Sequence, residues 1–301
     1  SGRVLNAPNM TASGAGSNPG SLPAHTVTSP GSGTPTAGSI TIYGADGAEV
    51  GGTLSTNGGY VRIWADSDNG GAGYLTLSSP ITTQGGNLYL STGSGAVTLN
   101  SNMTLGAGRI AFRSDGSYTN GTKILGGVLS ASGDVDVTTP FQMNGGASIL
   151  TDGVIRLSST VNLNTGAGVL TLRGSAIDFT GATLQNLNTA SMRLEPADPA
   201  TNMVLGDASG FASASTLNAL PGIRNLTIGR SDGTGTITVP GANFSFNANG
   251  TLELVNANVD ISGGTLTNTS GNVMITSDNI ALNRSVTANG GAGKVTLRQL
   301  T

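Results

Sequence analysis

The chain has 301 residues, of which 10% are charged and 4% aromatic, with 48 glycines, no cysteine and a net charge of −3. Without cysteine there are no disulfides, thiolate metal sites or cysteine nucleophiles, and a slightly acidic balance with no basic cluster excludes a nucleic-acid surface. No run approaches the roughly 20 apolar residues of a membrane-spanning helix, and the start, Ser1 rather than Met, has no signal-peptide apolar region, which reads as a processed chain or a part of something longer.

The first element in chain order is an arm over residues 1–38. It holds five of the 11 prolines (Pro8, Pro19, Pro23, Pro30 and Pro35) and the single histidine, His25. A Pro/Gly/Ser mixture buries little apolar surface. If ordered, the arm lies against its own downstream coils or against a neighbouring subunit.

From residue 39 to 301 the apolar residues alternate with polar ones, the period of a half-buried strand. Val61-Arg62-Ile63, Leu75-Thr76-Leu77, Leu88-Tyr89-Leu90, Val97-Thr98-Leu99, Ile110-Ala111-Phe112, Val135-Asp136-Val137, Ile155-Arg156-Leu157 and Leu170-Thr171-Leu172 follow one another. Near the C-terminus the spacing tightens. Leu252, Val273 and Val295 open triplets 21 and then 22 residues apart, and Val259 and Ile280 recur at 21. A period near 20 residues with short strands between Gly/Asn/Asp turns is the mark of a stacked solenoid, in which each coil lacks a core until its neighbours supply one. Turns such as Gly85-Gly86-Asn87, Asn144-Gly145-Gly146 and Asn289-Gly290-Gly291 provide positive-φ corners. The expected fold is all-β, a parallel β-solenoid of roughly a dozen coils at about 4.8 Å per coil.

The rhythm breaks from about Met192. Glu195-Pro196-Ala197-Asp198-Pro199 reads as unable to continue a ladder, and Ala212 to Leu220 reads as one short helix stopped by Pro221. A side insertion over about 192–224 is expected, followed by re-entry at Leu226-Thr227-Ile228 and Ile237-Thr238-Val239.

Stretches 192–207 (MRLEPADPATNMVLGD) and 215–239 (STLNALPGIRNLTIGRSDGTGTITV) resemble segments of large bacterial exported proteins of the filamentous haemagglutinin type, as do 86–100 (GNLYLSTGSGAVTLN) and 272–297 (NVMITSDNIALNRSVTANGGAGKVTL). The resemblance covers most of residues 39–301. It implies a right-handed β-helix on a secreted, surface-associated protein that serves adhesion, aggregation or biofilm. Asn18-Pro19-Gly20 only weakly echoes the NPNG-like motifs of that family's secretion domain, which points to a shaft portion or a fibre subunit.

Parallel β-helices also include glycan lyases and hydrolases, whose carboxylates converge on one solvent-facing sheet. Asp134 and Asp136 share a strand face, but a solvated pair at a coil corner is the favoured reading. Glu49, Glu195 and Glu253 lie far apart in sequence, and a Ser-His-Asp triad would have to recruit His25 from the arm. Asp66-Ser67-Asp68-Asn69-Gly70-Gly71 spaces oxygen ligands as calcium loops do, yet lacks their closing Glu and reads as a polar turn. No catalytic residue, metal or cofactor is assigned. Trp64, the only tryptophan, faces away from Val61 and Ile63 by alternation, and with Arg62 and Asp66 is the candidate ligand contact; Phe244-Ser245-Phe246 reads as core filling. Thr76, Thr98, Thr171, Thr227, Thr238 and Thr296 hint at an ice-binding array, but Arg62, Tyr89, Arg156 and Met274 interrupt it.

At the end of the chain Val295-Thr296-Leu297 makes a core-like strand with no capping coil, and an uncapped solenoid invites pairing. Val295 and Leu297 at one end, with Ile40 and Ile42 at the other, are the candidate polymer contacts. The partner is a second copy stacked head to tail, or the continuation of a longer shaft. The functional expectation is a non-enzymatic, extracellular structural or adhesive protein. The alternatives are a glycan-active β-helix enzyme and a carbohydrate-binding adhesin.

Overall fold

Each strand reads the alternation directly. In Val61–Trp64 the side chains of Val61 and Ile63 are wholly buried while Arg62 and Trp64 lie half-buried on the other side, and Leu75/Leu77 and Leu88/Leu90 repeat the pattern one coil at a time. The computed structural model describes Val27–Thr28 and residues 39–300, except 46, 68–72, 93–95, 109, 114–122, 138–139, 167, 209 and 242. The chain is all-β: parallel strands stacked as a β-solenoid of about 10 turns, with 5% helix and one short α-helix. The turns are fewer than the expected dozen because coil length is not constant. Arg62 pairs with Tyr89, 27 positions on, and Met192 with Leu226, 34 positions on.

Two compact units divide the chain, Ser1–Met143 and Asn144–Thr301. In the first unit the strands form three faces. One holds Ile40–Tyr43, Val61–Trp64, Leu88–Ser91, Ile110–Arg113 and Val135–Val137; the next holds Gly47–Val50, Tyr74–Leu77, Val97–Leu99, Lys123–Leu125 and Phe141–Asn144. The third holds Val27–Thr28, Leu54–Ser55, Ile81–Thr82, Met103–Thr104 and Val128–Ala131. Of the predicted arm only Val27–Thr28 is among the described residues. It adds a parallel strand to Leu54–Ser55, so this piece of the arm packs on its own chain. His25, the arm prolines and Asn18-Pro19-Gly20 lie outside the described residues.

The corners explain the glycines and several buried hydroxyls. Gly85 takes φ +107°, and a β-carbon on Gly86 would overlap the carbonyl oxygen of Gly59 in the coil before. Beside it Thr83 is wholly buried, and its Oγ1 donates to the carbonyls of Gly86 (2.5 Å) and Leu105 (3.1 Å). Thr56 repeats the arrangement one coil earlier, toward Gly59 and Thr83. A buried hydroxyl is tolerated only when it is so satisfied. In the second unit Asn268 does the same work at zero exposure, donating to the carbonyls of Ala248 and Asn272 and accepting from the Ala248 amide.

In the second unit one face runs unbroken through Ser148–Thr151, Leu170–Gly174, Ser191–Pro196, Ile223–Gly229, Ala248–Val255, Asn272–Thr276 and Val295–Arg298. The other two faces change hands. Val154–Leu157 with Ala176–Asp178, and Thr160–Asn164 with Thr183–Gln185, precede the insertion. Two new sheets take over: Met203–Val204, which lies within that segment, with Thr236–Thr238, Asn258–Ile261 and Asn279–Leu282 on one side, and Phe244–Phe246, Leu266–Asn268 and Val286–Ala288 on the other.

Ser191–Pro196, which the sequence reading assigned to the insertion, stays in the ladder. Met192 lies between Leu170 and Leu226, and Pro196 sits opposite Gly174 at the last strand position, where its missing N–H costs little. Pairing then resumes with the Ala197 amide on the Gly174 carbonyl at 2.8 Å. The excursion therefore begins after Pro196. Its helix, α1 (Ala214–Asn218), is capped by Ser213, whose Oγ accepts from the Thr216 amide. It is no lateral ornament. Leu217, Leu220 and Phe211 are buried, and Thr216 Oγ1 donates to the Ile177 carbonyl at 2.6 Å, so α1 covers the strand Ala176–Asp178, where the earlier sheet ends. Covering an exposed sheet edge in this way prevents unwanted pairing.

Candidate functional site

Parallel in-register stacking turns the outward residues of the Val61–Trp64 face into a grid. Thr41, Arg62 and Tyr89 form one column, Tyr43, Trp64 and Ser91 the next. Tyr60 precedes Arg62 by two positions and is 43% exposed; Arg62, Trp64, Tyr43 and Tyr89 are half-buried because they cover one another. The Arg62 guanidinium lies 5.0 Å from the Trp64 ring centroid, within cation–π range. Tyr43 approaches Trp64 at 6.0 Å with the rings inclined by 53°, and Tyr60 meets Tyr89 edge-on at 6.0 Å. Asn87 Nδ2 donates to the Tyr89 hydroxyl at 2.9 Å, holding that ring.

The structure brings Trp64 and Arg62 together on one surface. Asp66 is 3% exposed, beyond the strand end, where Ser67 bonds back to Gly44. Asp68-Asn69-Gly70-Gly71 of the same turn lie outside the described residues. Tyr43, Tyr60 and Tyr89 are the members that sequence reasoning missed. Tyr43 precedes Trp64 by the 21-residue period, which was a usable signal; the 27-residue step to Tyr89 hid the rest.

The carboxylates are engaged elsewhere and by neighbouring coils. Glu195, 4% exposed, accepts Arg173 Nε at 2.7 Å and Arg193 Nη1 at 3.4 Å. Glu253 accepts the hydroxyls of Thr227 and Thr276, each at 3.1 Å. Asp232 forms a two-pronged pair with Arg230, which holds its carboxyl below the usual range and pushes the guanidinium up. Asp178 is lowered by hydrogen bonds from Thr180. Glu49 stands near Tyr74, whose phenol is raised by burial first and by that charge second. Asp134 and Asp136 are half-buried on the outward side of their strand, and both have partners. Among the described residues no three His, Cys, Asp or Glu side chains gather where a metal ion would be held.

The remaining candidates divide by exposure. Val295 and Leu297 are 40% and 50% exposed, and Leu297 with Ile280 and Arg298 lines an open depression; Ile40 and Ile42 are buried at 5% and 8%. Phe244 and Phe246 are buried and stack with centroids 6.4 Å apart. No helix among the described residues is long and apolar enough to cross a membrane. Comparison of the chain with protein-family models, with curated proteins and with solved structures found no match.

Proposed function

We propose that this chain is a non-enzymatic β-solenoid shaft of a secreted or surface-displayed bacterial protein that serves adhesion or an extracellular matrix. The observation that carries the reading is the use of its acidic side chains. A lyase or hydrolase needs carboxylates with room for a substrate and a proton to move. Here Glu195 is bound by two arginines, Glu253 by two threonines and Asp232 by a guanidinium fork. Arg173 reaches Glu195, and Thr227 and Thr276 reach Glu253, from neighbouring coils, while Arg193–Glu195 and Arg230–Asp232 pair within one strand or turn, so these charges serve the stack and its corners. The resemblance to filamentous haemagglutinin-type repeats points the same way.

A second observation favours axial continuation. Leu282, Val295 and Leu297 are large apolar side chains at 42%, 40% and 50% exposure on the same coil. An additional coil stacked on them would bury that surface, whether it comes from the same chain or from a neighbouring copy.

The test is to immobilise the protein, measure attachment of cells to it, and incubate the same preparation with neutral and acidic polysaccharides while following new chain ends. Attachment without cleavage is the expected result. Cleavage that disappears in Glu195→Gln overturns the proposal.

A further inference from the structure

All five tyrosines and the only tryptophan fall before residue 144; the second unit has neither. A solenoid does not need outward aromatics to stack, because its core is made by the inward columns, and in the second unit the outward mid-strand positions are mostly polar, among them Arg156, Asn162, Thr171, Arg193, Thr227 and Glu253. Four of these six rings nevertheless share one outward face within three consecutive coils: Tyr43, Tyr60, Trp64 and Tyr89. We infer that this face is a binding strip for a neutral, extended glycan, which lies across the rungs with its sugar rings on Trp64 and the tyrosines. This rests on the adhesive reading above and supplies its ligand.

Three physical features select that occupant. Rungs are spaced by about 4.8 Å and outward residues on one strand by about 6.7 Å, so the patch measures roughly 10 by 13 Å, enough for a short oligosaccharide. The apolar C–H faces of an equatorially linked hexose chain stack on aromatic rings, whereas its hydroxyls need donors and acceptors at the rim. Arg62, Asn87 and Ser39 supply these; Ser39 heads the column of Tyr60, and its Oγ accepts from the Tyr60 amide at 3.2 Å, leaving its hydroxyl hydrogen to donate. The rings are inclined rather than coplanar, at 53° and 69°, which fits a chain whose successive sugars are rotated.

Charge removes the competing classes. Arg62 is the only basic residue between positions 39 and 108, against Asp46, Glu49, Asp66 and Asp68. A stretch of chain with a single cation does not concentrate an acidic polysaccharide or a nucleic acid, both of which require clustered cations. One guanidinium, seated over Trp64, instead serves as a planar hydrogen-bond donor to neutral hydroxyls.

Because Trp64 is the sole tryptophan, its emission reports on the strip alone. The full chain is titrated with a β-linked glucose hexamer, with an α-linked one and with polygalacturonate. A saturable change in emission with the β-linked hexamer, weaker with the other two, is expected. Tyr43→Ala, with the emission still readable, is expected to weaken it about tenfold or more, as loss of a central aromatic anchor does; Tyr43→Phe is expected to retain it, and circular dichroism checks that each variant is folded. An unchanged emission with every glycan, an equal response to the acidic polymer, or full affinity in Tyr43→Ala overturns the inference. Cell attachment separates the two readings. If Trp64→Ala attaches cells as well as the parent, the strip fails and the shaft stands, whereas polysaccharide cleavage sinks the shaft whatever the strip does.

Discussion

Arg230 and Asp232 close a two-pronged ion pair within one turn, Nε to Oδ1 at 2.7 Å and Nη2 to Oδ2 at 2.6 Å, while Nη1 of the same guanidinium donates to the carbonyls of Pro196 (3.1 Å) and Ala197 (2.7 Å). The chain leaves this sheet after Pro196 and returns to it at Ile223–Gly229, with Met203–Val204 pairing in another sheet between. A single side chain therefore fastens the departure point to the point of return. Arg230 is 7% exposed, so its removal leaves buried carbonyls without a donor. Arg230→Met is expected to lose about 1–3 kcal/mol, read by urea unfolding, and Arg230→Lys should not rescue it because one ammonium cannot span both sets of acceptors. Asp232, whose side chain is 65% exposed, should matter less when replaced by Asn.

The same pair gives a pH dependence of known sign. Arg230 lowers the Asp232 pKa in the folded state, so the unfolded chain binds the proton more readily. The stabilisation is complete above the unfolded value of about 4 and is lost as pH falls through the lower folded value. Hydrogen exchange at Ala197 and at residues 230–233 should be insensitive to this pair above that point and rise below it. Asp178 is lowered too, through Thr180, so the parent must be compared with Asp232→Asn. Equal acid sensitivity in the two would remove Asp232 as the cause.

At the corners the prediction concerns two adjacent glycines. A β-carbon on Gly86 would meet the Gly59 carbonyl, part of the backbone of the preceding coil, whereas one on Gly85 would meet nothing within 4 Å and would only suffer its φ of +107°. Left-handed strain costs about 1–2 kcal/mol, while a backbone clash forces the coils apart. Gly86→Ala should lower the unfolding midpoint more than Gly85→Ala. The opposite order would mean that the coils tolerate separation at this corner.

These residues also show what a sequence can disclose about such a fold. Inward columns were legible because alternation assigns Val61 and Ile63 or Leu252 and Leu254 to one side whatever the coil length. The corners at Gly85, Gly146 and Gly290 were legible through their chemistry, and all three have positive φ. Register was not. Tyr43 and Trp64 are one period apart, but the longer loop before Leu88 shifts Tyr89 by 27 residues onto Arg62, and loop length carries no pattern. Proline misled at Pro196 because the end of a strand does not require the N–H that a central position does.

For the core, Leu194 is the informative position, because it lies in the segment whose prolines suggested an insertion, yet is wholly buried between Leu172 and Ile228. Leu194→Ala should cost about 2–5 kcal/mol. Solenoids unfold by neighbouring coils rather than all at once, so the loss should appear first as faster hydrogen exchange in the strands Leu170–Gly174 and Ile223–Gly229. Protection unchanged in both would place Leu194 outside the core.

The last prediction distinguishes a structural carboxylate from a catalytic one. Glu195 is held by Arg173 and Arg193, whose side chains remain 34% and 38% exposed. Removing one member of a buried pair costs about 3–5 kcal/mol, and solvent access to the arginines reduces that toward the lower end. Glu195→Gln should therefore destabilise the chain. Replacing the whole cluster with apolar residues of similar size, Arg173→Met, Arg193→Met and Glu195→Met, should recover much of the loss, since no uncompensated charge remains. If the triple variant is as unstable as Glu195→Gln, the ion pairs contribute something packing cannot replace, and a functional role for the carboxylate regains its place.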